Sequence, residues 1–250
     1  MNTLLEVRGL SKRFGGVCAS DGASLAVAHG ELHALIGPNG AGKTTLIQQI
    51  AGALAPDAGS IVLAGQDITR LPMHERVHRG LARSYQVTNL FARLSVLDNL
   101  ALAVQARSGS SLRFWRPARS EAARYEEAAR VAARVGLGAR LAVSAAALAH
   151  GEQRQLELGL ALATRPRLLL LDEPMAGMGP EESERMVALI GSLRGEYTVL
   201  LVEHDMDAVF RLATRISTLV AGRVIACDTP GAIRVHPEVR RAYLGEEFVA

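Results

Sequence analysis

Hydrophobic and polar positions change rhythm several times along the chain, and each rhythm predicts a different element. Leu5-Glu6-Val7-Arg8 and Ser24-Leu25-Ala26-Val27-Ala28 alternate, which predicts antiparallel strands with one face in solvent. Leu32-His33-Ala34-Leu35-Ile36 is nearly unbroken and runs into Gly37, the pattern of a buried strand feeding a loop. Leu46, Ile47, Ile50, Ala51 and Leu54 then recur at helical spacing, and Pro56-Asp57-Ala58-Gly59 stops the helix. From about 94 to 163 the texture is helical and rich in Ala, Leu and Arg. Apolar runs return at 168–171, 198–202 and 216–220, and such runs belong in a parallel sheet covered on both faces. The expected fold is α/β: a parallel core with an antiparallel β subdomain and an inserted helical subdomain. Its expected boundaries are 1–86 and 165–222 for the core with the β subdomain, 87–164 for the helical insert, and 223–250 for a C-terminal extension.

Composition narrows the function classes. A chain of 250 residues, 49% of them hydrophobic, can bury one sizeable core. No run approaches the roughly 20 apolar residues of a spanning helix, and no cationic segment followed by a long apolar one opens the chain. A soluble, unexported protein is expected. A formal net charge of +3 gives no reason to expect nucleic acid as a partner. Cys18 and Cys227 are far apart and lack metal-ligand spacing, so they read as reduced thiols without function. Lys12 and Lys43 are the only lysines, every other basic residue being Arg. Residues 105–120 hold Arg107, Arg113, Arg116 and Arg119 beside Phe114 and Trp115 with no acidic residue. That segment reads as a surface loop between helices or as a contact for lipid headgroups or a partner.

Chemistry concentrates in a few places. Gly37-Pro38-Asn39-Gly40-Ala41-Gly42-Lys43-Thr44-Thr45 has the spacing G-x-x-x-x-G-K-[ST] between a strand and a helix. Backbone N–H groups of such a loop, here Asn39, Gly40, Ala41 and Gly42, form a nest for phosphate oxygens, and the helix presents its positive end to the same anion. Lys43 is placed against the β- and γ-phosphates, Thr44 on Mg²⁺, and Thr45 beside the α- and β-phosphates. Asp172 and Glu173 follow four leucines and so end a buried strand, at the sheet edge where ligands bind. Asp172 suits Mg²⁺ through its water shell, and Glu173 suits polarisation of an attacking water. Gln86, a neutral amide, suits Mg²⁺ or the lytic water without adding charge. His204 follows the strand ending at Val202 and is placed to reach the γ-phosphate, although a lone His is more often structural.

Together these residues resemble the ATP-binding-cassette ATPases, the nucleotide-binding subunits of ABC transporters, over nearly the whole length. Residues 37–45 are similar to Walker A, Gln86 to the Q-loop, 148–153 to the signature, 168–173 to Walker B and His204 to the switch histidine. The resemblance implies that Phe14 stacks on adenine. It also implies that two cassettes meet head to tail, so that Ala149, Gly151 and Glu152 of one subunit close over the ATP of the other. The family signature usually begins Leu-Ser-Gly-Gly-Gln, whereas this chain has Leu148-Ala149-His150-Gly151-Glu152. Ala149 cannot donate a hydroxyl, so a charge-assisted hydrogen bond of roughly 1.5–3 kcal/mol is missing from the site this signature completes. Residues 175–179 also lack the Asp that the wider family often has there.

A single cassette without a coiled-coil insert or fused second cassette points to transport rather than to DNA repair or ribosome work. The finer resemblance is to cassettes of bacterial branched-chain amino-acid importers, through Ser11-Lys12-Arg13-Phe14-Gly15-Gly16, residues 86–100 and 175–178, and the tail from His236 to Gly245. Importers of urea, amides and other small amino acids share this pattern. The implied partners are a second cassette, two transmembrane permease subunits and, indirectly, a periplasmic solute-binding protein. The implied place is the cytoplasmic face of the bacterial inner membrane. Gln86 and residues 87–97 are then expected to carry motion to the permeases. Phe91, Leu94, Val96 and Leu97 either line that groove or pack inside the helical subdomain. A non-enzymatic ATP-gated switch stays open as a third reading, because the altered signature bears on turnover.

Overall fold

The structure is a computed structural model and describes residues 2–84, 90–107 and 122–244. Gln86 with residues 87–89, and Arg113, Phe114, Trp115, Arg116 and Arg119 of the basic segment, lie outside the described residues. The chain folds into two compact units, one of Met1–Leu81, Arg167–Glu173 and Ile190–Ala250, the other of Ala82–Pro166 and Pro174–Leu189.

The first unit opens with a hairpin of β1 (Thr3–Phe14) and β2 (Val17–Ala28), turned at Gly15-Gly16 with Gly15 at φ +58°. Both strands are longer than the alternating stretches predict. Alternation breaks where the register slips near Leu10 to Arg13, and the bulges there hide the pattern. β3 (Leu32–Ile36) is buried at all five positions, and α1 (Lys43–Ala51) follows the glycine loop. α1 stops at Gly52, which takes φ +81° and sends its N–H to the Gln49 carbonyl, so glycine ends the helix before Pro56 is reached. β4 (Ala58–Leu63) and β5 (Gln66–Asp67) complete an antiparallel sheet of order β2-β1-β4-β5. α2 (Met73–His78) and β6 (Leu81–Arg83) follow.

Helices α3 (Val96–Arg107), α4 (Ala122–Arg134) and α5 (His150–Ala163) form the body of the second unit. Gly159 on α5 permits close packing, since a Cβ there would stand 3.1 Å from Leu100 of α3 and 3.3 Å from Val135. Val96 is fully buried while Phe91 is 59% exposed, so the apolar run ahead of α3 divides between packing and surface. Asn99 fixes that division: its amide takes the Phe91 N–H at 3.0 Å and donates to the carbonyls of Phe91, Leu94 and Ser95.

β7 (Leu168–Asp172), α6 (Pro180–Ser192), β8 (Thr198–Val202), α7 (Met206–Leu212), β9 (Arg215–Val220) and β10 (Arg223–Asp228) come next, followed by the short helices α8 (Pro230–Val235) and α9 (Pro237–Val239). The second sheet runs β10-β9-β3-β8-β7-β6, and β3, β7, β8 and β9 are mutually parallel. β3, β7 and β8 are buried at every position, which explains their unbroken apolar runs. The core between the two sheets is built from side chains such as Leu5, Leu35, Leu46, Ile61, Leu170 and Leu200. Parallel strands end on the same edge, and the site is assembled there.

Candidate functional site

The loop leaving β3 is shaped by close backbone approach. A Cβ on Gly37, at φ +153°, would stand 2.1 Å from the Leu219 carbonyl oxygen, and one on Gly42, at φ +101°, 2.1 Å from that of Ala19. No larger residue fits at either position. The Ala41 N–H donates to Pro38 O at 3.2 Å, and Ala41 O accepts from Gly222 at 2.8 Å, which sets the curve of the loop. Asn39 and Gly40 form its exposed tip. Lys43 is largely buried and donates to the carbonyls of Gly37 at 2.6 Å and Pro38 at 3.0 Å. Burial holds its ammonium below the usual lysine range, against the opposing pull of Glu173 and Asp172. No side chain caps α1, so its first-turn amides and positive pole face outward with the exposed Thr44 and half-buried Thr45. The chemistry of this cradle fits a polyphosphate.

The behaviour of α1 also depends on its other end. Arg76, almost fully buried, donates to Gln49 O and Ile50 O at 2.7 Å each, to Leu71 O at 2.8 Å and to Thr69 O at 2.9 Å. Burial pushes its guanidinium down to about 10, so it stays charged at neutral pH and sits on the negative pole of α1.

The carboxylates ending β7 and the histidine after β8 come together through sheet register. Asp172 pairs with Val202 across β7 and β8, so the next residues, Glu173 and Glu203, leave adjacent strands side by side. Asp172 is buried and Glu173 is 28% exposed. Glu173 adopts φ +49°, a left-handed conformation costly for a non-glycine residue, and its N–H is held by Val202 O at 2.9 Å. His204 is exposed, with Nδ1 at 3.9 Å from Glu173 Oε1 and 3.8 Å from Glu203 Oε2. Glu203, 1% exposed, also accepts the His204 N–H at 3.0 Å. Sequence reasoning passed over Glu203, although a carboxylate ending the β8 run repeats the signal that Asp172 gives on β7. Among the described residues no three carboxylates, histidines or cysteines cluster as a metal site. A cation here fits the Thr44 hydroxyl and Asp172 type of donor set only if phosphate oxygens and water supply the rest, as Mg²⁺ prefers.

Phe14 ends β1 with half its surface exposed, and its register partner Val17 is 67% exposed. Two open apolar side chains at one hairpin end make a platform for a flat ring. Val17 was missed, and its one sequence signal is an apolar residue directly after a Gly-Gly turn.

In the second unit Ala149 is the N-cap of α5 and offers no side-chain acceptor. Glu152 reaches back to the Ala149 N–H at 3.1 Å and is held by Arg140 at 2.9 Å. The Gly151 N–H donates to Glu182 Oε1 at 3.3 Å, and Glu182 Oε2 accepts the Gly179 N–H at 3.3 Å. His150 Nε2 lies 3.4 Å from Ala176 O. A cavity of about 180 Å³ opens beside them, lined by Arg140, Ala149, Glu152, Glu182 and Arg185 among others. Ala149, Gly151 and Glu152 thus share one helix start, and the carboxylate of Glu182, absent from the sequence reading, already occupies the amide expected to meet phosphate.

A family model described as "ABC transporter" matches residues 20–176, and one described as "Branched-chain amino acid ATP-binding cassette transporter" matches 223–249. The chain belongs to the ABC transporter family. This cassette is 41% identical over 250 residues to the high-affinity branched-chain amino acid transport ATP-binding protein BraF of Pseudomonas aeruginosa, covering 97% of this chain and 98% of that one. It is 39% identical to LivG of Escherichia coli, a protein of the same description, at the same coverage. It is 33% identical to the lipopolysaccharide export system ATP-binding protein LptB of Haemophilus influenzae, over 98% and 99% of the two chains. Among solved structures it is similar to the ADP conformation of MJ1267, an ATP-binding cassette of an ABC transporter, at 27% identity and TM-score 0.84, covering 98% of this chain and all of that one. The expected fold and family are borne out, and with them a nucleotide-binding ATPase subunit of a transporter. No helix among the described residues is long and apolar enough to cross a membrane. As an ATP-binding subunit of an ABC transporter, this cassette works with membrane permeases.

Proposed function

We propose that this cassette hydrolyses Mg-ATP at the edge formed by Lys43, Asp172, Glu173 and His204 to energise import of branched-chain or closely related small amino acids. The observation that carries the catalytic part is the convergence of Glu173 and His204, 3.9 Å apart, on strand ends that share the edge with the Lys43 loop. The tail match at 223–249 and the BraF and LivG likeness support the choice of solute.

On this reading Lys43 and the loop amides of Asn39 to Gly42 bind the phosphates, Thr45 lies beside them, and Phe14 with Val17 holds adenine. Thr44 and Asp172 with Gln86 would hold Mg²⁺, which would neutralise phosphate charge when bound. Glu173 orients water and takes its proton as the water oxygen bonds to γ-phosphorus and the β–γ bridging oxygen leaves with ADP. His204, reaching toward the γ-phosphate, is kept in place by Glu203 and by the approach of Glu173. In a head-to-tail pair, the α5 start at Ala149, Gly151 and Glu152 closes over the partner cassette's ATP, and binding brings the two permeases into register. Mg²⁺ and the cassette dimer belong to this proposal, as do a periplasmic binding protein and a place on the cytoplasmic face of the inner membrane.

The test is ATP-dependent uptake in proteoliposomes holding the complete transporter. Leucine, isoleucine or valine accumulation that stops with Glu173→Gln supports the reading. Robust ATPase with uptake of urea or an amide instead would move the solute to a neighbouring importer class.

A further inference from the structure

We infer that Asp57 is a positioning residue for nucleotide base binding, holding the Phe14 platform in the orientation that stacks on adenine. The inference rests on the reading of Phe14 as that platform. β1 pairs with β4 only as far as Ser11, which lies opposite Ala58. The last three residues of β1, Lys12 to Phe14, therefore extend past the β1–β4 ladder, with β2 pairing along their other side through a slipped register.

Asp57 takes over where the ladder stops. Its own N–H donates to Ser11 O at 2.9 Å, which fixes the carboxylate at the end of the sheet. Its Oδ2 then accepts the Arg13 N–H at 2.8 Å, and its Oδ1 accepts from Lys12 Nζ at 2.7 Å. Both residues ahead of Phe14 are thus tied to one side chain. The Lys12 ammonium stands 5.8 Å from the Phe14 ring centroid, within cation–π range, and Asp57 keeps it there. Lys12 is one of two lysines in a chain whose other basic residues are all Arg, and the second is Lys43 of the phosphate loop. The hydrogen bonds from Lys12 and the Arg13 amide also hold the Asp57 carboxyl below its usual range, so it is an anion throughout the neutral region.

An exposed ring that stacks must be held still before the base arrives, because ordering it on binding subtracts from affinity. Phe14 is half exposed and has little packing of its own to hold it. The Asp57 carboxylate bonds Lys12 and the Arg13 amide and, among the described residues, none of the phosphate loop, so its loss is expected to act on the base and leave the phosphates alone.

The experiment is isothermal titration of the full chain with Mg-ATP and, separately, with Mg-tripolyphosphate, which carries the phosphates without a base. Asp57→Ala is expected to raise the Kd for ATP about three- to tenfold, the scale of ordering one side chain, and to leave tripolyphosphate within about twofold. Asp57→Asn, which still accepts the Arg13 amide but offers Lys12 no charge, is expected to fall between wild type and Asp57→Ala. Phe14→Ala measured alongside separates the two layers. If Phe14→Ala weakens ATP and Asp57→Ala does not, the positioning role is wrong and the platform stands. Equal weakening of ATP and tripolyphosphate by Asp57→Ala also overturns it, by showing damage to the phosphate loop. If Phe14→Ala leaves ATP binding unchanged, the platform reading itself goes, and this inference with it.

Discussion

The Glu182 carboxylate holds the Gly151 amide at 3.3 Å, placing a negative charge at the start of α5, the helix start proposed to close over a partner cassette's ATP. Glu182→Gln keeps the shape and removes the charge. A carboxylate's interaction with a helix N-terminus is worth about 0.3–1 kcal/mol, or roughly two- to fivefold in an equilibrium, and a neutral amide leaves that positive pole to an incoming phosphate. ATP-driven dimerisation, measured by size exclusion in a Glu173→Gln background, is expected to strengthen by that factor, while the nucleotide-free chain melts earlier for loss of a charged acceptor. A weaker dimer would instead give Glu182 a supporting role in closure.

Ala149→Ser supplies the cap that α5 lacks. A serine N-cap adds about 1 kcal/mol of helix stability, so the isolated chain is expected to melt later. If this helix start closes over a partner cassette's ATP as proposed, the hydroxyl adds a phosphate donor in the assembled transporter, and steady-state ATPase is expected to rise. Unchanged or slower turnover of the complex, with the melting gain present, would show that Ala149 is not what limits the site.

Glu173→Gln is expected to leave ATP binding intact and to cut turnover by about 10²–10⁴. Single-turnover hydrolysis beside a binding isotherm reads both. Hydrolysis that survives would take Glu173 out of the base role.

Gly42→Ala places a methyl group 2.1 Å from the Ala19 carbonyl oxygen at a residue with φ +101°. Both the clash and the dihedral oppose it, and a loss of more than about 2 kcal/mol is expected, read as a fall in denaturation midpoint. Gly40→Ala meets no atom within 4 Å. Its cost is confined to the left-handed backbone, so the gap between the two variants measures the clash.

Stability should depend on pH through His33. Its ring is fully buried, with Nδ1 2.9 Å from Glu31 Oε1 and Nε2 2.8 Å from Ser217 Oγ. Burial alone would lower its pKa, but hydrogen bonds with Cys227 and Glu31 prevail and raise it, while Glu31 is lowered by the same pairing despite its own burial. A raised histidine contributes stability that is complete below about 6.5 and is lost as pH rises through the higher folded value. A lowered carboxylate contributes above about 4.5 and is lost as pH falls through its lower folded value. His33→Gln is therefore expected to cost most between about pH 4.5 and 6.5, and the gap in melting temperature should narrow on the alkaline side. A constant gap across pH would mean that only packing is lost. The Cys227 thiol is lowered as well, burial being outweighed by His33, Ser217 and Arg215, whose guanidinium stands 3.3 Å from its sulfur.

Much of the fold was legible because its signals are local. β3, β7 and β8 are buried on both faces, so their sequences are unbroken apolar runs, and glycines crowded by carbonyls at 37 and 42 could be nothing else. Residues that act across strands were harder to see. Glu203 stands beside Glu173 because register sets it there, and Val17 beside Phe14 because a hairpin returns it. Glu182 is 31 residues from the amide it holds. No periodicity or spacing connects such pairs, and only the folded chain brings them together.

Arg76 gives α1 a permanent counter-charge at its rear. The four carbonyls gripped by the guanidinium, two of them on α1, do not depend on what binds at the front. The helix behind the loop is accordingly anchored before nucleotide arrives and after it leaves. On the proposed function, each cycle begins from a cradle already built, and the binding energy of ATP is left for closing the pair of cassettes.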